Sequence, residues 1–282
     1  MANQVRLAER VVATLKRHAK ELCELTNRRM SADESEAVAL MIPILVQLLK
    51  SGHGAKAAAL SIDHLAVSSA RNRDAMREAG AIAPLVALLQ AGAGSEAATN
   101  AAGALWNLAN SNDTNKNAIC EAGAIAPLVA LLQAGAGSEA ATKAAGALRN
   151  LANSNDTNKN AICEAGAIVP LVALLQAGAG SEAATNAAGA LRNLANSNAT
   201  NKNAIREAGA IAPLVALLQA GAGSEAARNA AGALWNLANS NATNKNAIRE
   251  AGAIAPLVAL LKAGVAIPLH SSCSSAAFRE HD

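Results

Sequence analysis

The sequence predicts an all-α solenoid with three helices in each 43-residue unit, and three observations carry that reading. Residues 82–124 return almost unchanged as 125–167, 168–210 and 211–253. The first two copies differ at two positions (Asn100/Lys143 and Trp106/Arg149), the third departs from the second at four, and the fourth from the third at three. Units of this length cannot enclose a core alone, so they must stack. Each copy also holds helix-starting and helix-stopping residues at fixed places. Finally, an apolar content of 52% with two Trp, one Phe and no Tyr supplies thin side chains, which let helices approach closely.

Taken in order, the chain opens with an amphipathic stretch, residues 1–38, with Leu7, Val11, Leu15, Leu22 and Leu25 on one side. It is expected to cap the first unit, as solenoid ends require. A membrane-surface helix is the competing reading, and Glu9, Glu21 and Glu24 argue against an organelle transit peptide. Residues 39–264 form the repeat array. It comprises one diverged unit in which residues 45–49 match 85–89, four near-identical units over 82–253, and a partial sixth that keeps its first two helices through Leu261. Residues 265–282 resemble no third helix, so the last apolar face is expected either to lie under this tail or to meet another molecule, self-association included.

Within one unit, Asn112 suits an N-cap, and Asp113 complements the dipole of a short helix over 114–122. Gly123 ends that helix in the left-handed region. Pro127 is tolerated in the first turn of a second helix, built on Leu128, Val129, Leu131 and Leu132. After the turn at 134–137, Ser138 caps a third and longer helix from Glu139 to Ala152.

Several function classes are disfavoured. A net charge of +3, from 24 basic and 21 acidic residues, is too small to point to nucleic acid. No run approaches the length of a membrane span, and residues 1–30 lack the apolar segment of a secretory leader. Cys23, Cys120, Cys163 and Cys273 form no CxxC pair or Cys/His cluster, and the middle two sit about one helix spacing apart, roughly 8–10 Å. They read as reduced thiols, with the protein expected in the cytoplasm or nucleus. The glycosylation sequons at Asn112, Asn155, Asn198 and Asn241 are expected to stay unmodified. His18, His53, His64, His270 and His281 share no ligand spacing, and the Gly-Ala-Gly turns follow a helix rather than a strand. No enzyme, cofactor or metal is expected.

The unit resembles the armadillo repeat. The likeness is carried by residues 115–119 (NKNAI), 121–125 (EAGAI), 127–132 (PLVALL) and 104–109 (ALWNLA) with their equivalents, and it covers about 41–264. In style it is similar to plant- and protist-type tandem arrays. The resemblance implies a right-handed superhelix that binds extended peptides along the inner surface of the third helix through an Asn at the place of Asn107 and its equivalents. It also implies a second reading, the substrate-recognition module of a ubiquitin-ligase assembly. A structural spacer or consensus-like array without a ligand is the third.

At about 100° per residue, the third helix divides cleanly. Asn107, Asn100, Glu96, Gly103 and Asn110 form a polar stripe flanked by Thr99 and Trp106, and Ala and Leu fill the rest. Stacking aligns Asn107, Asn150, Asn193 and Asn236, with His64 in the corresponding place of the first unit. A carboxamide both donates and accepts, so a row of them about 10 Å apart could clamp the main chain of an extended peptide. The alternative is that they bond neighbouring helices and hold the superhelix. Selectivity is expected from Trp106, Arg149, Arg192 and Trp235 in one flanking column, with Lys143 and Arg228 in two others. With no Asp on the stripe, the groove reads as mildly basic, and its complement as an acidic segment carrying apolar residues. Gly103, Gly146, Gly189 and Gly232 stand where peptide-binding armadillo repeats often carry Trp, so aromatic pockets are expected to be missing.

Overall fold

A computed structural model describes residues 32–264 apart from positions 53, 91, 93, 136 and 222. The expected cap over 1–31 and the tail over 265–282 lie outside the described residues. Those described form sixteen helices and no strand. Unit one contains α1 (Ala32–Ser51) and α2 (Ala55–Ser68), and unit two α3 (Ala70–Glu78), α4 (Ile82–Leu89) and α5 (Glu96–Leu108). Units three to five follow as α6 (Asp113–Glu121), α7 (Ile125–Leu132), α8 (Glu139–Ala152); α9 (Asp156–Glu164), α10 (Ile168–Leu175), α11 (Glu182–Ala195); and α12 (Ala199–Glu207), α13 (Ile211–Leu218), α14 (Glu225–Ala238). A sixth supplies α15 (Ala242–Glu250) and α16 (Ile254–Lys262).

The helices begin and end where their caps place them. Asn112 Oδ1 accepts from the Asn115 amide at 3.0 Å, and Asn155, Asn198 and Asn241 repeat the bond. Ser138 Oγ accepts from the Ala141 amide at 3.4 Å, and Gly123 turns the chain at φ 79°. Unit one departs from this pattern. Residues 36–38 read EAV where 78–80 read EAG. Valine resists the positive φ that Gly80 adopts, so no break forms and α1 runs on through Pro43. The expected boundary between cap and array, at residues 38 and 39, falls inside this helix.

Each third helix packs along its length against the next, α2 on α5, α5 on α8, α8 on α11 and α11 on α14, whereas successive second helices barely touch. The stack is therefore tighter on the third-helix side, which makes that side concave. Alanines allow the close approach: Ala141, Ala144, Ala145 and Ala147 are fully buried, with Leu148 and Leu151 filling the core.

A second set of contacts lies away from the groove. Asn115 is fully buried, and its Nδ2 donates to the Leu108 carbonyl at 2.9 Å, where the third helix of the unit before it ends. Lys116 is buried as well, and its Nζ donates at 3.0 Å to the carbonyl of Asn153, which caps α8, the third helix of its own unit. Lys159 and Lys202 repeat this reach to Asn196 and Asn239. In each of these units a first-helix lysine therefore bonds a C-terminal carbonyl of the third helix, which lacks a partner within that helix.

Candidate functional site: the inner groove

The third helices bring the polar stripe onto the concave side as the helical spacing requires, and the four asparagines fall into one column. Their amides, however, are not free. Asn150 Nδ2 donates to the Trp106 carbonyl at 3.0 Å, Asn193 to Arg149 at 2.8 Å and Asn236 to Arg192 at 2.8 Å. Asn107 donates both to the Asp63 carbonyl, at 3.2 Å, and to its Oδ1, at 2.6 Å. A parallel row seven residues earlier does the same: Asn100, Asn186 and Asn229 donate to the carbonyls of Lys56, Thr142 and Thr185. The first row stitches each third helix to the one before it, and the second does so for all but α8, where Lys143 stands in the row. Asn193 and Asn236 are buried, Asn107 and Asn150 only half-buried. The expectation of a freely presented row is corrected accordingly. Close helix approach leaves a main-chain carbonyl within reach of each carboxamide, and what remains for a partner is the second N–H and the oxygen. The Asn193 oxygen is buried without a partner.

The flanking column leans toward the next unit. A Cβ on Gly146 would lie 2.5 Å from the Trp106 indole, and one on Gly189 or Gly232 would lie 2.7 or 2.6 Å from Arg149 or Arg192. These glycines form the seats on which the preceding unit's large side chains rest. Trp106 is thus half-buried over Gly146, while Trp235, with no sixth third helix described beyond it, is 54% exposed.

The groove's charges are partly paired internally, and here the sequence reading needs a second correction. Asp63, in the place that Trp106 holds one unit later, does lie on the stripe. It bonds Lys143 at 3.1 Å across 80 residues. Burial works to lower the Lys143 ammonium, but Asp63 and then Glu139 outweigh it and hold the group above the usual lysine value. Arg149 bonds Glu225, two units on, at 2.8 Å and also donates to Asn186 Oδ1. Asp63 could have been found by extending the alignment one residue back from His64. The Arg149–Glu225 pair carried no signal, because it depends on curvature that brings alternate units within reach. Arg192 donates to Asn229 Oδ1, and burial followed by the nearby Arg149 lowers its guanidinium. Arg228 is half-buried one position before Asn229. Glu225 acts on Arg192 as well as on Arg149, so one carboxylate serves two arginines, and the net positive charge centres on Arg192 and on Arg228, two turns before Trp235 on α14.

Elsewhere, a cleft of about 510 Å³ opens between the turns of units two and three, lined by Glu96, Thr99, Gln133 and Glu139. The thiols of Cys120 and Cys163 are free and are pushed up by burial and by the adjacent Glu121 and Glu164. Among the described residues no single helix is long and apolar enough to cross a membrane.

A stack of three-helix units with one continuous side-chain-lined inner surface defines a solenoid interaction scaffold. The armadillo/beta-catenin-like repeat profile matches residues 69–110, 111–153, 154–196 and 198–239, more than half of the chain, which belongs to that family. A comparison with curated protein sequences found no match. Among solved structures, the chain is 34% identical to a designed armadillo repeat protein, YIII(Dq)4CqI, at a TM-score of 0.70 over 80% of this chain and 98% of the other. It is 36% identical to computationally designed armadillo repeat proteins for modular peptide recognition, at a TM-score of 0.68 over 77% and 90%. A third, YIII(Dq.V1)4CPAF in complex with the peptide (KR)4, is 35% identical at a TM-score of 0.67 over 77% and 90%.

Proposed function

We propose that the protein is a non-catalytic scaffold that holds an extended peptide or disordered segment of a partner along its inner groove. The observation that carries this reading is the repeated surface itself, with an asparagine held at the same orientation in four successive units by its bond to the preceding one. Orientation fixed beforehand lowers the cost of engaging a ligand main chain. Asn150 presents its second N–H and its oxygen, and Asn107, whose amide donates twice to Asp63, presents its oxygen, each such bond contributing about 1 kcal/mol. Trp106, Arg149, Lys143, Arg192, Arg228 and Trp235 then set the preference. The open charge at Arg192 and Arg228 beside an exposed indole favours a segment with carboxylates and apolar side chains. That is opposite in charge to the (KR)4 peptide bound by the designed relative.

Alanine at the asparagines would loosen the stack, so the test uses charge. Fluorescence anisotropy of a labelled alternating Glu–Leu octapeptide should show saturable binding that exceeds that of (KR)4. Arg192→Gln with Arg228→Gln should weaken it at least tenfold without lowering helicity. Stronger binding of (KR)4 would remove the acidic preference, and binding of neither peptide would count against the groove.

A further inference from the structure

We infer that the C-terminal end of the described array is a docking site for one α-helix of another polypeptide, rich in Ala and carrying Gly and Asn at the spacing of this chain's own third helices. The sixth unit has its first and second helices, α15 and α16, and the residues that elsewhere receive a third helix stand open. Ile254, Val258 and Leu261 are 57, 42 and 60% exposed, where their equivalents Ile125, Val129 and Leu132 are 7, 6 and 1% exposed. Trp235 lacks the glycine seat that Gly146 gives Trp106. Lys245 is exposed, although Lys116, Lys159 and Lys202 all donate to the carbonyl end of a following third helix.

The site continues an interface repeated four times in the molecule, so its occupant can be read from that interface. The helix must present Gly over Trp235, because any Cβ there would meet the indole as one on Gly146 would meet Trp106. An Asn four residues after the Gly would donate to the Trp235 carbonyl, as Asn150 does to Trp106, and an Asn three residues before it to Arg228, as Asn229 does to Thr185. Small residues must fill the face between. Residues 265–282 contain neither Gly nor Asn. A second copy stacked head to tail would present α2, which carries Leu60 in the glycine position and His64 in the asparagine position. Neither matches the template, whereas a separate Gly- and Asn-bearing helix does.

The probe is an acetylated, amidated peptide of residues 182–196, which has no Trp and carries Asn186, Gly189 and Asn193 at the required places. It is titrated into the full chain bearing Trp106→Phe, so that Trp235 is the single indole. The expected result is a saturable shift of Trp235 emission to shorter wavelength, with the chain's mass unchanged by light scattering apart from one peptide. A peptide with Gly189→Leu should bind at least tenfold more weakly. Equal binding of both peptides, or none, overturns the inference. So does binding that appears only after residues 265–282 are deleted, which would make the tail the occupant, or an emission shift on raising chain concentration alone, which would make it a second copy.

Discussion

Helices α7 and α16 open with the same eight residues, IAPLVALL, yet they live in different surroundings. In α7, Ile125, Val129 and Leu132 lie between two neighbouring units and are almost fully enclosed. In α16 the same three positions are mostly open. Trp106 and Trp235 differ in the same way, as do Lys116 and Lys245. Local sequence is the same in α7 and α16, and Lys202, which shares ATNKNAIRE with Lys245, is buried, so burial here belongs to the packed neighbour rather than to the residue. In a solenoid the stability of a unit is its own small contribution plus that of its two interfaces, and the edge unit has only one described.

The sharpest way to break this comparison is to make the same truncation in both helices. Leu132→Ala should cost about 2–5 kcal/mol, since it removes a fully enclosed side chain from a core that collapses only partly. Leu261→Ala, at a mostly exposed position, should stay within about 0.5 kcal/mol. Urea unfolding followed by circular dichroism checks both, and comparable losses would mean that α16 is covered in solution.

Interior units also reach beyond their immediate neighbours. Lys143 bonds Asp63 two units back and Glu139 on its own helix. Lys143→Met should therefore cost about 1–3 kcal/mol at neutral pH, chiefly by removing the countercharge of the buried Asp63 carboxylate, which keeps its bond from Asn107. The sign with pH follows from the raised folded-state value. Stability from Lys143 is fully present below the ordinary lysine value of about 10.4 and is lost as pH climbs through the higher folded value. The gap between wild type and variant should narrow in that alkaline window. A gap constant from neutral to strongly alkaline pH would show that packing of the stem, not the ion pair, was lost. Lys202 should behave oppositely. Its neighbour is Ala199 where Lys116 has Asp113, and burial lowers its ammonium. Its contribution to stability should rise as pH climbs from that lowered value toward 10.4.

These contrasts mark what one copy of the repeat could reveal. The helices were legible because their caps are local: Asn112, Gly123 and Ser138 each act within a few residues of themselves. The division of the third helix into apolar and polar sides was legible for the same reason. What a single repeat could not disclose is the register between units. The commitment of each Asn150-type amide to the preceding carbonyl and the seat that Gly146 provides for Trp106 both depend on it. Unit one hid Asp63 and the fusion of α1 because its landmarks are shifted and Val38 replaces a turn glycine.

A last comparison should show no difference between interior and edge. Ser154 and Ser240 both adopt φ 54° between the third helix and the next N-cap, a left-handed conformation unfavourable for a residue with a Cβ. The geometry comes from the turn itself and not from a neighbouring unit. Ser154→Gly and Ser240→Gly should each add about 0.5 kcal/mol, relief of left-handed strain less the greater entropy that glycine loses on folding. Paired thermal melts would resolve it as small, equal increases. A gain confined to Ser154 would mean that the edge unit opens before the rest of the stack, so that strain relieved there no longer contributes to the measured transition.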